Sequence, residues 1–403
     1  MERVPLTVGK HELVRDLATL AKLELDAGDA SKLDAGLATA LAHLPNPANP
    51  QIAFADSDKL PGTAARTHRL ASEHEAPAPD HRNGVPTHCS DRGGTECSPA
   101  FTVLEVAGGY LAQISRAPVV LLPTRDCVVA DYSSGYARLL HAYDLNLPRV
   151  LADARRIDGA ALVLCDDVWP LNYSHWLLDE LPRLAFLGAR RDLSVVIAGP
   201  VAGYRRETLL HCGFAPERIV ALEDFSAVQA DRLLVSRDVR QMPHPAFKGA
   251  PWALEFLRSR LGPDAAETPC SRKIYVSRGD SRGRYVVNED ALMQRLEPLG
   301  YERMTLGLRT VPEQAALFAG ASHIVGLHGA GLANLAFARP GTQVIELFPQ
   351  GYATPAFYVV AAATGCRYAT YVAKGEVTKQ KRDQIYDASL DLDHFASVCG
   401  DLL

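Results

Sequence analysis

Leucines recur every three or four positions at Leu13, Leu17, Leu20 and Leu23, return from Leu33 to Leu44, and the pattern has ended by Pro45. That spacing lays them along one face of a helix, so residues 1–45 are expected to form a small helical appendage. Residues 46–100 show little periodicity and are rich in Pro, Gly, Ser, Asp and His, which predicts an irregular linker. So long a connection is unusual inside a compact domain and marks a boundary.

From residue 101 short apolar runs alternate with helical stretches. Runs at 119–122, 127–130, 160–165 and 194–198 predict buried strands, helices are expected at 175–187 and 204–212, and strands at 219–222 and 232–235 follow. A second, cleaner series begins after Pro251. Helices over 252–261, 288–299, 310–320 and 332–338 alternate with strands at 273–277, 301–305, 323–327, 342–347 and 368–372. Asn288 stands where an N-cap belongs, and Thr310-Val311-Pro312-Glu313 has capping-box spacing. Such alternation predicts an α/β protein with mostly parallel sheets covered by helices. The two series divide the chain into units at 101–245 and 246–403 with a cleft between them, and ligands of such sheets sit at switch points beyond the carboxyl ends of strands.

Composition narrows the classes. The 403 residues, 47% hydrophobic and 22% charged, are those of an ordinary globular chain and exclude a mainly disordered one. A net charge of −5 argues against a nucleic-acid partner. Residues 1–22 mix charge into every turn, so neither a signal peptide nor an anchor is expected. Eight scattered cysteines then read as reduced thiols of a cytoplasmic protein. His81, His88, Cys89 and Cys97 match no common zinc spacing, and Asp166-Asp167 is a lone acidic doublet, so no metal site is expected.

Four segments carry candidate chemistry. Residues 321–334 read strand, glycine-rich turn, helix: Gly326, Gly329 and Gly331 permit close backbone approach, and His328 stands at the strand's carboxyl end. The dinucleotide fingerprint is not met, because Asn334 stands where its third glycine belongs. Arg278 emerges from the strand at 273–277, and with Arg282 and Arg284 it forms a loop whose guanidinium forks suit a diphosphate. Glu346, near the end of the strand at 342–347, lies where an acidic residue meets ribose hydroxyls. In the first unit His175, Asp179 and Arg183 share one helix face, Leu177, Leu181 and Leu184 another, and Asn172 and Ser174 precede them, with Ser174 a reasonable N-cap. Together with Tyr173 and Trp176 they outline an acceptor pocket containing a proton acceptor, with a kink expected at Pro182. The plainer alternatives are an empty tight turn, a solvated arginine loop, a salt bridge at the sheet end, and an Asp179–Arg183 surface pair beside core aromatics.

The motifs at 172–183, 273–278, 328–334 and 344–349, in this order and spacing, resemble glycosyltransferase family 61 over roughly residues 100–375. The resemblance implies a GT-B architecture, two Rossmann-like domains facing each other across the active-site cleft. It makes 101–245 the acceptor domain and 246–403 the donor domain. It further implies an inverting transfer from a nucleotide-sugar, usually a UDP-sugar, to a glycan or lipid-linked glycan in surface or capsular polysaccharide synthesis. No permanently bound cofactor and no metal requirement are expected, while peripheral association with the inner membrane face and oligomer formation are both compatible with it. Donor contacts then fall to Ser277, Arg278, Arg282, Arg284, His328, Gly329, Ala330, Gly331, Asn334 and Glu346. Acceptor contacts fall to Asn172, Tyr173, Trp176 and Arg183, and the base to Asp179 or His175. A non-catalytic nucleotide-sugar or polysaccharide-binding subunit and an NAD(P)-dependent oxidoreductase are the competing readings.

Overall fold

The computed structural model describes residues 53–403 except 56, 61–62, 69–71, 77–79, 84–93, 99–100, 115–116, 130–131, 134–146, 166–171, 202, 237–248, 265–268, 282, 351–353 and 377–386. The helical appendage expected over 1–45 lies outside these residues. In chain order the strands begin with β1 (Ala53–Ala55), β2 (Thr63–His68), β3 (Ser72–Ala76), β4 (Asp80–Asn83) and β5 (Gly94–Ser98). Next come β6 (Phe101–Ala107), β7 (Tyr110–Ile114), β8 (Ala117–Leu121), β9 (Cys127–Val129) and β10 (Arg155–Leu164). They continue as β11 (Ser194–Ala198), β12 (Ile219–Leu222), β13 (Ser226–Ser236), β14 (Arg272–Val276) and β15 (Tyr301–Met304). The last are β16 (Ala321–Leu327), β17 (Gln343–Pro349), β18 (Arg367–Glu376) and β19 (Asp387–Ser389). Helices α1 (Leu147–Ala152), α2 (Tyr173–His175), α3 (Tyr204–His211) and α4 (Pro251–Leu261) are followed by α5 (Glu289–Leu296), α6 (Val311–Ala319), α7 (Ala356–Ala363) and α8 (Leu392–Cys399).

Two large sheets result. The first follows the order β1-β9-β8-β7-β13-β10-β11-β12, with β6 joining β13 to β2. Only part of it meets the expectation of a parallel sheet: β10 is parallel to β11 and β13, and β11 to β12, whereas β6 and β7 run antiparallel to β13 and β7 antiparallel to β8. Strand β7 is buried along its whole length, so its sequence carries no polar alternation to betray its direction. The second sheet, β15-β14-β16-β17-β18-β19, has five successive parallel strands in the order 2-1-3-4-5 familiar from doubly wound sheets. Its switch point falls between β14 and β16.

The stretch expected as an irregular linker, 46–100, instead contributes five strands. Strand β2 pairs with β6 in the first sheet, and β4 pairs in parallel with β18 in the second. His81 Nδ1 lies 2.7 Å from Thr370 Oγ1, and Arg82 pairs with Asp401 at 2.9 Å. Strand β4 reads Asp-His-Arg-Asn, and polar edge strands of this kind look like loop in sequence.

Between the sheets lies one continuous core. Leu162, Leu164, Val195 and Ile197 of the first sheet and Ile274, Val276, Ile324 and Val344 of the second belong to the same apolar cluster. Leu177, Leu181 and Leu184, Leu254 and Leu257 of α4, Phe318 of α6, and Leu332 and Leu335 fill the space between them. Other local expectations are met with adjustments. Thr310 and Glu313 form the reciprocal capping box, which holds the Glu313 carboxyl below its ordinary range. Asn288 stands at the N-cap position, but its side chain bonds Leu390 in both directions rather than the helix.

Polar bonds fix the register of the halves. The Tyr173 hydroxyl donates to Asn334 Oδ1 at 2.8 Å, and Glu207 of α3 accepts from Val311 N at the start of α6 at 2.8 Å. Burial pushes the Tyr173 phenol well above its ordinary range. Each fully buried leucine contributes about 1.5–3 kcal/mol, against about 1 kcal/mol net for a hydrogen bond. The shared core therefore holds the halves together, and the clasp sets how they meet. Tyr173→Phe, which leaves Asn334 Oδ1 short of a donor, is expected to cost about 1–3 kcal/mol, measured as a shift of the urea midpoint. An unchanged midpoint would mean that the clasp is solvated.

Candidate active site

The helix expected over 175–187 forms, but with three pitches. One α-turn, Tyr173–His175, passes into a π-turn, Trp176–Glu180, and then into a 3₁₀ helix, Leu181–Leu187. Pro182 accounts for the break: its ring would clash with the carbonyl four residues earlier, and the change of pitch relieves this. Wide π-turns recur at functional sites. The N-cap is Asn172 rather than Ser174: Asn172 Oδ1 accepts from both Ser174 N at 2.9 Å and Ser174 Oγ at 2.8 Å.

The π-turn keeps His175 and Asp179 on one face, with His175 Nδ1 at 2.8 Å from Asp179 Oδ2. The histidine side chain is 16% exposed and the aspartate 4%. Asp179 Oδ1 is buried and has no hydrogen-bond partner among the described residues. Arg183, expected as an acceptor contact and in the plainer alternative as a surface partner of Asp179, fills neither place. It is buried, donating from Nε to the Asp179 carbonyl at 3.0 Å and from Nη1 to Ser236 Oγ at 2.8 Å, with Glu180 at 3.6 Å. Burial, and then Glu180, push the Cys165 thiol at the end of β10 far above its ordinary value.

Two more residues expected to meet an acceptor are likewise committed elsewhere. Trp176 is 1% exposed, its Nε1 donates to Thr208 Oγ1 at 2.9 Å, and the Arg205 guanidinium lies 4.9 Å from its ring centroid. It belongs to the core. Tyr173 carries the clasp to Asn334, whose amide also donates to Gln314 Oε1 at 2.8 Å and to the Gly331 carbonyl at 3.0 Å. Asn334 is fully buried and so joins the halves instead of facing a donor. Asp166 and Asp167 lie outside the described residues.

On the other side, the pairing of Val276 with Gly326 carries Arg278 and His328 to neighbouring positions beyond β14 and β16, at the switch point. The three glycines have different duties. A Cβ at 326 would press on Val276 at 3.2 Å, and one at 331 would meet Leu306 Cδ1 at 2.8 Å, so these two allow internal packing. A Cβ at 329 would collide with the Arg278 guanidinium. Arg278 donates from Nε to the Arg284 carbonyl at 2.8 Å and from Nη2 to the Gly283 carbonyl at 2.9 Å. Arg284 in turn donates to the His328 carbonyl at 2.9 Å. Ser277 is buried and donates to Glu289 at 2.7 Å, while Arg282 lies outside the described residues. The loop is thus folded against the turn, not splayed into solvent.

After Gly329 the chain enters a 3₁₀ helix, Ala330–Phe337, with Ala330 and Gly331 half-buried at its start. Arg258 holds its far end, donating to the Ala336 and Ala338 carbonyls at 2.7 and 2.9 Å. Helix α2 packs on this 3₁₀ helix. Glu346 does not offer its carboxylate to a ribose. It is fully buried, with His328 Nδ1 2.5 Å from one oxygen and the Tyr368 hydroxyl donating to the other. Tyr368, Phe348 and Phe357 around His328 carry no sequence signal beyond ordinary strand and helix apolarity.

Among the described residues no group of three His, Cys, Asp or Glu could hold a metal ion, and no helix is long and apolar enough to cross a membrane. Residues 173–345 match the family model described as Glycosyltransferase 61. No curated protein matches the chain. Gly329 has φ 175°, extended backbone open to any residue, so Gly329→Ala is expected to fold. It should drive Arg278 off the Gly283 and Arg284 carbonyls and cost about 1–3 kcal/mol. A crystal structure of the variant with Arg278 unmoved would contradict the steric argument.

Proposed function

We propose that the protein, whose residues 173–345 match the family model described as Glycosyltransferase 61, is an inverting glycosyltransferase of GT-B layout. It moves a sugar from a nucleotide donor, a UDP-sugar, to a glycan or lipid-linked glycan acceptor, for surface or capsular polysaccharide. In this reading the division at about residue 245 separates an acceptor domain from a donor domain. The observation that carries it is the contact of α2 with the 3₁₀ helix after Gly329, clasped by Tyr173 and Asn334. In this reading the His175–Asp179 pair that begins at α2 serves the same site as the turn at the sheet switch point.

His175 is the base and Asp179 its orienting partner. Asp179, the more deeply buried of the two, accepts from Nδ1–H and so leaves Nε2 as the proton acceptor. Nε2 takes the proton of the acceptor hydroxyl as its oxygen attacks the anomeric carbon. The bond from that carbon to the diphosphate oxygen breaks on the opposite face, and the sugar inverts. Charge appearing on the diphosphate is met by His328, by the backbone of the 329–331 turn and by the guanidinium loop of Arg278 and Arg284. No metal or permanently bound cofactor enters this scheme.

Nucleotide-sugars tested by thermal shift and by donor consumption separate a catalyst from a binder. A binding subunit would show the shift without consumption, and stabilisation by NAD(P) alone would favour the oxidoreductase. Asp179→Asn is expected to lower turnover by about 10⁴ while the thermal shift with UDP persists. Near-normal turnover in that variant would remove the pair from the mechanism.

A further inference from the structure

We propose that Tyr368 is a positioning residue of the donor site, acting through Glu346 to fix the ring of His328. This rests on the reading of His328 as a diphosphate contact. The ring of His328 lies stacked on Phe348 with centroids 5.2 Å apart and tilted against Phe357 at 5.0 Å. Phenyl faces on a ring restrict its translation, but they do not decide which edge faces which way. Glu346 decides it, through the 2.5 Å contact with Nδ1.

A glutamate side chain has its own torsional freedom, and the Tyr368 hydroxyl removes it by donating to the second carboxylate oxygen. Tyr368 itself is firmly placed. It pairs with Val344 across the β17–β18 ladder, and its ring centroid is 5.6 Å from that of Tyr358 on α7. The chain Tyr368–Glu346–His328 thus carries the position of a central strand to the glycine turn. With Nδ1 held by the carboxylate, Nε2 is the ring nitrogen on the edge turned away from Glu346.

Burying a carboxylate in the middle of a sheet is costly, and replacing such a pair with apolar groups is often neutral or stabilising. Packing alone gives no reason for Glu346 at 0% exposure. Orientation of a histidine does.

The test uses the full chain carrying ¹⁵N-labelled histidine. The wild-type His328 ring should report a proton on Nδ1, and both Tyr368→Phe and Glu346→Gln should shift its tautomer balance. In turnover assays Tyr368→Phe should lower kcat about tenfold, the loss of one hydrogen bond to a charged group, and should have no further effect in a His328→Ala background. Equal losses in both backgrounds, or ring signals unmoved in both single variants, would overturn the proposal. Glu346→Gln keeps the shape of the site and serves if Tyr368→Phe folds poorly. Absence of sugar transfer by the wild type would sink the glycosyltransferase reading, and the ring signals would still decide the relay.

Discussion

Everything near the candidate site depends on one packing contact: the short, pitch-changing helix of the first half lying on the 3₁₀ helix that follows Gly329 in the second. That contact is part of a core running unbroken from β10 and β11 through the intervening helices to β14 and β16. A core of this kind is dense and resists sliding. The Tyr173–Asn334–Gln314 chain adds little energy beside it, but hydrogen bonds are directional, so it selects one alignment of the faces.

Each half carries the same device, a histidine held at Nδ1 by a more deeply buried carboxylate. In the first half the pair is His175 and Asp179 at 2.8 Å; in the second it is His328 and Glu346 at 2.5 Å. The surroundings separate their roles. His175 is the more exposed imidazole, whereas His328 is enclosed between phenyl rings beside the guanidinium loop. In the proposed scheme the first exchanges a proton and the second meets an anion.

Much of the second half was legible in the sequence because its strands and helices are short, regular and well punctuated, as the capping box at Thr310 and the glycine turn show. The first half was less so. Strand β7 hides its direction because both faces are covered, and β4 looks like loop because it is polar and lies at a sheet edge. At the site, sequence spacing placed His175 and Asp179 together and set Arg278 and His328 at strand ends. It did not reveal that Trp176, Arg183 and Asn334 point inward, since side-chain chemistry does not say which face of a helix meets the core. Glu346 was read as a ribose ligand from its place near a strand end; only the arrangement of Tyr368 and His328 around it shows a carboxylate already engaged.

The central claim is that the switch point between β14 and β16, walled by α2 of the other half, is where a nucleoside diphosphate binds. A crystal structure of the full chain with UDP tests it most directly. The account predicts the diphosphate within hydrogen-bond reach of the 328–331 turn, with His175 across the cleft from it and the Tyr173–Asn334 clasp intact. UDP seated at the opposite, amino-terminal ends of these strands, or bound only after the two halves have parted at that clasp, would contradict it.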